Sequence, residues 1–120
     1  MKILHETLEF ICEASRNVYP KEFAGFLRSE NDIITEVLLS PGGLSGSHGA
    51  VVHPTLLPLD SSIMGTVHSH PGRVAYPSEE DIRFFSKFGN IHIIVRYPFA
   101  LEDAFFFDKE GKRIECEIVD

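Results

Sequence analysis

Two histidines stand one residue apart, His68 and His70, in a segment with the composition of a β-strand. Side chains of a strand alternate between its two faces, so both imidazoles point to the same side. Two imidazoles held in this way can bind one metal ion. An isolated pair of this kind is more often structural, so the prediction of a metal site depends on a third ligand.

A serine, Ser78, and three acids that end at Asp81 open the next predicted helix. A serine at the cap position with an acid three residues later is typical of a capping box. Capping therefore competes with metal binding for the Asp81 carboxylate. Ten residues separate His70 from Asp81, and a Pro-Gly pair breaks the strand between them. The loop can thus return the start of the helix to the end of the strand.

Two histidines and one carboxylate are the three protein ligands of a hydrolytic zinc site, which leaves a fourth position for water. A structural zinc site would want four protein ligands, usually with cysteines, and no cysteine stands near these residues. Zinc lowers the pKa of its bound water to about 7, but a carboxylate must still take and deliver the protons. Glu22 is a candidate for this base, and so are Glu79 and Glu80; the residues alone do not choose among them.

Taken together, these segments resemble the signature of the JAMM (MPN+) metalloproteases, which is a glutamate, then H-x-H, seven residues and S-x-x-D. The matching segments are Pro20-Lys21-Glu22-Phe23-Ala24-Gly25, His68-Ser69-His70-Pro71 and Ser78-Glu79-Glu80-Asp81. The resemblance covers nearly the whole chain and lacks none of the functional positions. It implies a compact archaeal- or bacterial-type isopeptidase, similar to deubiquitinases, with residues 1–120 as a single catalytic domain.

The resemblance also implies a role for each matching residue. His68, His70 and Asp81 would bind one zinc ion per chain, with water as the fourth ligand. Glu22 would deprotonate the metal-bound water and later protonate the leaving amine. Ser78 would hydrogen-bond the oxyanion of the tetrahedral intermediate.

The substrate implied by the resemblance is the C-terminal Gly-Gly tail of a ubiquitin-like or sulfur-carrier protein, cleaved at a peptide or isopeptide bond. An extended tail could add to a strand edge near the zinc, with residues 72–76 or 41–50 lining the cleft. Two alternatives stay open: a peptidase that releases an amino acid from a sulfur-carrier protein in biosynthesis, and a non-catalytic MPN scaffold domain. An iron oxygenase fits the order and spacing poorly, and a zinc deaminase would need a P-C-x-x-C element.

The elements that must position these residues follow from periodicity and turn residues. A 3.6-residue apolar period predicts a first helix, and Ser78 begins a second. Alternating or continuous apolar runs predict the strands. The predicted helices span 4–17 and 78–88, and the predicted strands 23–28, 33–40, 51–53, 63–70, 91–97, 104–107 and 112–119. The order implies an α+β domain with three α/β/α layers, in which helices flank a mixed curved sheet; the family resemblance adds a cytidine-deaminase-like fold.

Composition narrows the function classes. The 120 residues carry 11 Lys+Arg and 18 Asp+Glu, a formal net charge of −7, which argues against general nucleic-acid binding. No apolar run is long enough to span a membrane, and the charged N-terminus does not resemble a signal peptide. We therefore expect a cytoplasmic protein with reduced Cys12 and Cys116, although a disulfide between them stays open.

Several other residues have weaker signals. His48 and His53 are expected to pack in loops rather than reach the metal, and His92 is expected in the core or in a layer behind the site. Arg73, in the loop after the H-x-H strand, could meet an acidic group of the substrate. The Phe105-Phe106-Phe107 run predicts a strand covered on both faces, with a homodimer contact as the alternative.

Overall fold

The computed structural model of the chain describes residues 1–39 and 63–120. It contains two α-helices, one short 3₁₀ helix at Leu101–Asp103 and eight strands in this part of the chain. In chain order the elements are β1 (Lys2–Leu4), α1 (His5–Val18), β2 (Ala24–Glu30), β3 (Ile33–Leu39), β4 (Ile63–His70), α2 (Glu79–Phe85), β5 (Ile91–Arg96), β6 (Ala104–Phe107), β7 (Arg113–Ile114) and β8 (Glu117–Val119).

All eight strands join one mixed sheet in the order β7-β6-β5-β4-β2-β3-β1-β8. The pairs β4–β5, β1–β3 and β1–β8 are parallel, and the other pairs are antiparallel. Only two residues connect β7 at one edge with β8 at the other. The Cα atoms of Ile114 and Glu117 are therefore at most about 11 Å apart, so the sheet must curl until its edges approach each other. This confirms the predicted mixed curved sheet.

The larger apolar core lies between α1 and one face of this sheet. The α1 residues Leu8, Ile11 and Cys12 are buried there, as the apolar period predicts. The sheet contributes fully buried side chains from five strands, including Ile3, Leu27, Ile34, Val67 and Ile93.

The second face of the sheet carries a smaller core with α2. Phe85 of α2 packs there with Ala75, Ile94 and Phe107. Because successive residues of a strand face opposite sides, His68 lies on this second face while Val67 points toward α1. The two helices thus cover opposite faces, which confirms the predicted three layers.

Two predicted elements are wrong at the ends of the chain. Residues 2–4 form the strand β1, so α1 begins at His5 and not at residue 4. The predicted arm 112–119 divides: β7 pairs with β6, whereas β8 pairs in parallel with β1. Ile118 of β8 is consequently 45% exposed. Both errors have one cause, because a parallel pairing between chain ends has no local sequence signal.

Smaller boundary differences follow from turns and caps. β2 continues to Glu30, and the turn to β3 needs only Asn31 and Asp32, which both have the positive φ of a type I′ turn. The second helix ends at Phe85 instead of residue 88, because Ser86 caps it. The predicted strand over 91–97 ends at Arg96.

The remaining expectations divide into those that the structure describes and those that it does not. The loop 41–50, the strand 51–53, His48 and His53 lie outside the described residues. The Phe105–Phe107 run is covered on both faces as predicted, since Phe106 joins the α1 core and Phe107 the α2 core. Cys12 is buried, Cys116 is half-buried, and both are free thiols. Across the two described ranges no helix has the length and apolar character that a membrane span requires.

Candidate metal centre

The two histidines of the H-x-H motif lie at the C-terminal end of β4, between two strands that hold it in place. β4 pairs with β2 on one side, where Ala24 is opposite His68. It pairs with β5 on the other side, where Ile94 is opposite His68 and Arg96 is opposite His70. His68 is 7% exposed and His70 is half-buried. A strand with neighbours on both sides gives the two imidazoles a rigid support.

The loop after β4 returns the first turn of α2 to these imidazoles, as the spacing predicts. The donor atoms of His68, His70 and Asp81 all lie within 4.8 Å of one another. The distance between the two Nε2 atoms is 3.0 Å. Asp81 Oδ1 lies 3.6 Å from His68 Nε2, and Asp81 Oδ2 lies 3.7 Å from His70 Nε2.

These distances fit a single tetrahedral metal ion. Donor atoms about 2.1 Å from one zinc are about 3.4 Å apart in a tetrahedron, close to the observed separations. The tautomer of His70 also fits, because its Nδ1 lies 3.0 Å from the carbonyl oxygen of Val74. A carbonyl only accepts, so Nδ1 carries the proton and Nε2 keeps the lone pair that a metal needs.

The position of Asp81 is compatible with both of the roles that the sequence suggests for it, a helix cap and a metal ligand. Its Oδ2 accepts a hydrogen bond from the backbone N–H of Ser78 at 2.9 Å, and its own N–H donates to Ser78 Oγ at 3.0 Å. This is a complete capping box. A carboxylate has two oxygens, each with more than one lone pair, so the cap fixes the orientation of Asp81 without removing it from the metal site. The Ser78 hydroxyl accepts in this cap and keeps its own proton to donate.

The charges of the cluster favour a bound cation. Burial alone would raise the pKa of Asp81, but the adjacent His68 and His70 hold this pKa far below its usual range. Burial would also lower the pKa of His70, but its contacts with Asp81 and Val74 and the charge of Glu22 outweigh that effect and raise it. An ionised Asp81 carboxylate thus lies beside the two imidazoles, and a metal ion between them would supply a positive charge to it.

Glu22 stands two residues before β2, near enough to His70 for its charge to act on that imidazole. The β2–β4 register continues beyond Ala24, since Phe23 N–H donates to Ser69 Oγ at 2.7 Å and Ser69 N–H donates to the Phe23 carbonyl at 2.8 Å. These two hydrogen bonds hold the backbone next to Glu22 beside the end of β4. The Glu22 Oε2 atom is buried, and no hydrogen-bond partner for it exists among the described residues.

A second layer of side chains supports His68 from behind. Phe85 stacks on His92 with ring centroids 4.1 Å apart and an angle of 8°, and its ring lies 6.2 Å from that of His68. His92 is fully buried, as expected, and both of its nitrogens are bonded: Nε2–H donates to the Gly89 carbonyl and Nδ1 accepts from the Thr66 hydroxyl. Burial is the main reason why the pKa of His92 falls to about 4, so this imidazole is neutral and fixed in orientation.

The sequence motifs overlooked two residues that position the site. Ser69 stands inside the H-x-H motif but faces α1, and its hydroxyl connects β4 to the segment that carries Glu22. The alternation of a strand could have identified it as a buried polar residue in need of a partner. Val74 acts through its backbone carbonyl, for which no side-chain pattern gives a signal.

The geometry agrees with the comparison of the chain with protein-family models. The model for the prokaryotic homologues of the JAB domain matches residues 5–108. The chain belongs to this family. The family match confirms the resemblance that the Glu, H-x-H and S-x-x-D segments predict.

A curated relative and a solved structure are similar to this JAB-domain protein over nearly its whole length. A probable metalloprotease from Haloferax volcanii is 34% identical over an alignment of 128 positions, which covers 98% of this chain and 79% of the relative. A crystal structure of a JAB1/MPN domain protein from Archaeoglobus fulgidus aligns with a TM-score of 0.83 at 35% identity, over the full length of both chains.

Two further solved structures are similar to this JAB-domain chain. One is described as JAMM, a metalloprotease-like zinc site in the proteasome and signalosome; it aligns with a TM-score of 0.80 at 33% identity and covers 100% of this chain and 98% of the other. The other, a protein from Desulfitobacterium hafniense, has a TM-score of 0.57 at 19% identity over 100% and 94% of the two chains. The last likeness concerns the fold alone.

Proposed function

We propose that this JAB-domain chain is a zinc-dependent hydrolase that cleaves peptide or isopeptide bonds at the C-terminal Gly-Gly tail of a ubiquitin-like or sulfur-carrier protein in the cytoplasm. The observation that carries the proposal is the convergence of three metal donors from His68, His70 and Asp81 beside the partner-free carboxylate oxygen of Glu22. Two free thiols are consistent with a reducing compartment.

The donor set suits zinc. Two neutral imidazoles and one carboxylate are common in catalytic zinc sites, which use three protein ligands and keep one position open. When bound, zinc polarises the scissile carbonyl and lowers the pKa of water to about 7. His70 presents its Nε2 because Val74 holds the opposite nitrogen, and the Ser78 cap holds Asp81.

Glu22 has the properties that a general base needs. Its Oε2 is buried and has no hydrogen-bond partner among the residues of the described ranges, so it is available to accept a proton. Its charge acts on His70, which is one of the three proposed metal donors. In the proposed reaction Glu22 takes a proton from the attacking water and passes it to the leaving amine.

Ser78 is the proposed hydrogen-bond donor to the oxyanion. Its backbone N–H and its Oγ lone pair are used in the cap with Asp81, but its hydroxyl proton is not. A donor aimed at the position where negative charge develops stabilises the transition state. The same residue can therefore begin α2 and act in the reaction.

The loop between β4 and α2 has a surface that could contact the proposed substrate tail. It contains no helix or strand in residues 71–78, and its apolar side chains Val74 and Tyr76 are 64% and 77% exposed. Exposed apolar groups beside a metal site can contact a substrate segment. A tail that ends in two glycines could approach the buried donors closely because it has no side chains at those positions.

The proposal is tested by cleavage of two substrates that carry a Gly-Gly tail: a linear fusion, and a conjugate in which the tail is linked to a lysine amine. We expect the purified protein to cleave at least one of them, to lose the activity after treatment with a chelator, and to regain it with zinc. A scaffold domain would cleave neither. Failure of the zinc-loaded protein to cleave any such substrate contradicts the proposal, and the ratio of the two rates distinguishes a peptidase from an isopeptidase.

A further inference from the structure

A cleft with three arginines lies beside the metal centre. It is formed by the loop after β4 and by strands β5, β6 and β7, and its volume is about 250 Å³. The residues that decide its chemistry are Arg73, Arg96, Arg113, Val74, Tyr76 and Phe105. We name it the arginine cleft. Its walls are apolar, and its charged groups are all positive.

Phe105 supports two of the three guanidinium groups. The Arg96 guanidinium carbon lies 4.9 Å from the Phe105 ring centroid, and that of Arg113 lies 4.5 Å from it. Arg96 is also bonded through Nε to the buried carboxylate of Asp103 at 3.1 Å. Stacking and this ion pair restrict the groups, so less conformational entropy is lost when a ligand binds.

Two of the three positive charges of the arginine cleft are not paired with an acid among the described residues, whereas that of Arg96 is paired with Asp103. Neither Arg73 nor Arg113 forms an ion pair with an acid in the described parts of the chain. Three of the 11 Lys+Arg residues thus gather in one cleft of a chain with a net charge of −7. Such a positive site on an acidic molecule favours an anionic ligand, and guanidinium groups match a carboxylate in geometry.

The arginine cleft and the metal donors share one face of the sheet. Arg96 is paired with His70 across β4 and β5, and Arg113 is paired with Phe107 across β6 and β7. Neighbouring strands are about 4.8 Å apart, so β7 lies roughly 14 Å from β4. Val74 connects the two regions, because it lines the cleft and its carbonyl oxygen bonds to His70 Nδ1.

We propose that the arginine cleft binds an acidic side chain of the protein substrate, next to an apolar one, two to four residues from the scissile bond. The distance follows from about 3.3 Å per residue of an extended segment across roughly 5–14 Å. The carboxylate meets Arg113 and Arg73, and the apolar neighbour packs against Val74 and Tyr76. The inference deepens the proposed function and rests on it for the position of the scissile bond.

The test uses two peptides without terminal charges, acetyl-Leu-Glu-Leu-Gly-Gly-amide and the same peptide with Gln in place of Glu. Binding to the full chain is measured by calorimetry and by shifts of backbone amide NMR signals. We expect the Glu peptide to bind about tenfold more tightly, since a charge-assisted hydrogen bond is about twice as strong as a neutral one. The shifts should include the amides of Val74 and Arg113.

Two variants distinguish binding in the arginine cleft from a general effect of the net charge of the protein. Arg113→Gln should remove the tenfold preference, whereas Arg83→Gln, the same change at an exposed position of α2 outside the cleft, should keep it. Equal binding of the two peptides, no measurable binding of the Glu peptide at millimolar concentration, or equal losses in both variants would overturn the inference. Binding does not require turnover, so a preference without cleavage would contradict only the proposed hydrolysis.

Discussion

The two faces of the sheet differ in the polarity of the side chains that they bury. The face toward α1 is a continuous apolar core with contributions from nearly every strand, whereas the face toward α2 has a small core beside buried polar groups. His68, His70 and the arginine cleft belong to the second face, and the charge of Glu22 acts on His70 there. The first face thus provides most of the hydrophobic stabilisation, and the second can hold unpaired and charged groups because the first compensates for their cost.

The largest effect that follows from this difference is a loss of activity without a loss of stability. We expect Glu22→Gln to reduce cleavage about a thousandfold, because the amide cannot accept the proton. The free energy of unfolding should change by less than about 1 kcal/mol, since the buried Oε2 atom has no hydrogen bond to lose among the described residues.

The matched control for Glu22→Gln is Glu80→Gln, at an exposed position in the first turn of α2. It should leave the cleavage rate within about twofold of that of the unchanged protein. If the two variants lose activity equally, or if Glu22→Gln retains it, Glu22 is not the base.

For a substitution on the α1 face we expect a loss of stability without a loss of activity. Leu27 is fully buried in the larger core, and Leu27→Ala should lower the free energy of unfolding by about 3 kcal/mol because it leaves a cavity. The cleavage rate per folded molecule should stay unchanged. Denaturant unfolding and active-site titration measure the two quantities; a specific loss of activity in the folded fraction would show that the faces are not independent.

The α2 face should also make a contribution to the free energy of unfolding that is lost at acidic pH. Burial lowers the pKa of His92 to about 4, well below its value of 6.5 in an unfolded chain. The unfolded state therefore binds the proton first, so this contribution is fully present above pH 6.5 and is lost as the pH falls toward 4. The loss at pH 5 is about 2 kcal/mol. NMR titration of the His92 ring measures it directly, and a midpoint near 6.5 would be incompatible with the buried neutral imidazole.

Much of this division is predictable from the sequence because it depends on local patterns. The apolar period of α1, the alternation of β4 and the spacing from His70 to Asp81 predict the layers and the metal cluster. The pairing of β1 with β8 is not predictable in this way, since two three-residue strands from opposite ends of the chain carry no common signal. Their pairing depends on the curl of the whole sheet.

The sequence also leaves the second role of Asp81 unresolved. A motif gives the residue types, but whether a carboxylate can cap a helix and face a metal depends on which oxygen each partner uses. The arginine cleft could not be predicted from the sequence either. Arg73, Arg96 and Arg113 are far apart in sequence and come together only through the strand pairing.

A smaller effect is expected where the two faces are connected. Ser69 points toward α1 yet holds the backbone beside Glu22, so we consider it a positioning residue. Ser69→Ala should lower kcat about tenfold with little change in KM or in zinc content, because the base loses its alignment. Ser69→Thr keeps the hydroxyl and should restore most of the rate. A parallel fall of zinc binding and kcat would indicate a general structural defect instead.

The central claim is that the second face holds one metal ion between His68, His70 and Asp81. Its most direct test is the zinc content per chain, measured by elemental mass spectrometry after zinc loading and gel filtration, for the unchanged protein, for Asp81→Ala and for Glu22→Gln. The account predicts one zinc per chain in the unchanged protein and in Glu22→Gln, and a content near zero in Asp81→Ala. No bound zinc in the unchanged protein, or an equal content in a folded Asp81→Ala variant, would contradict it.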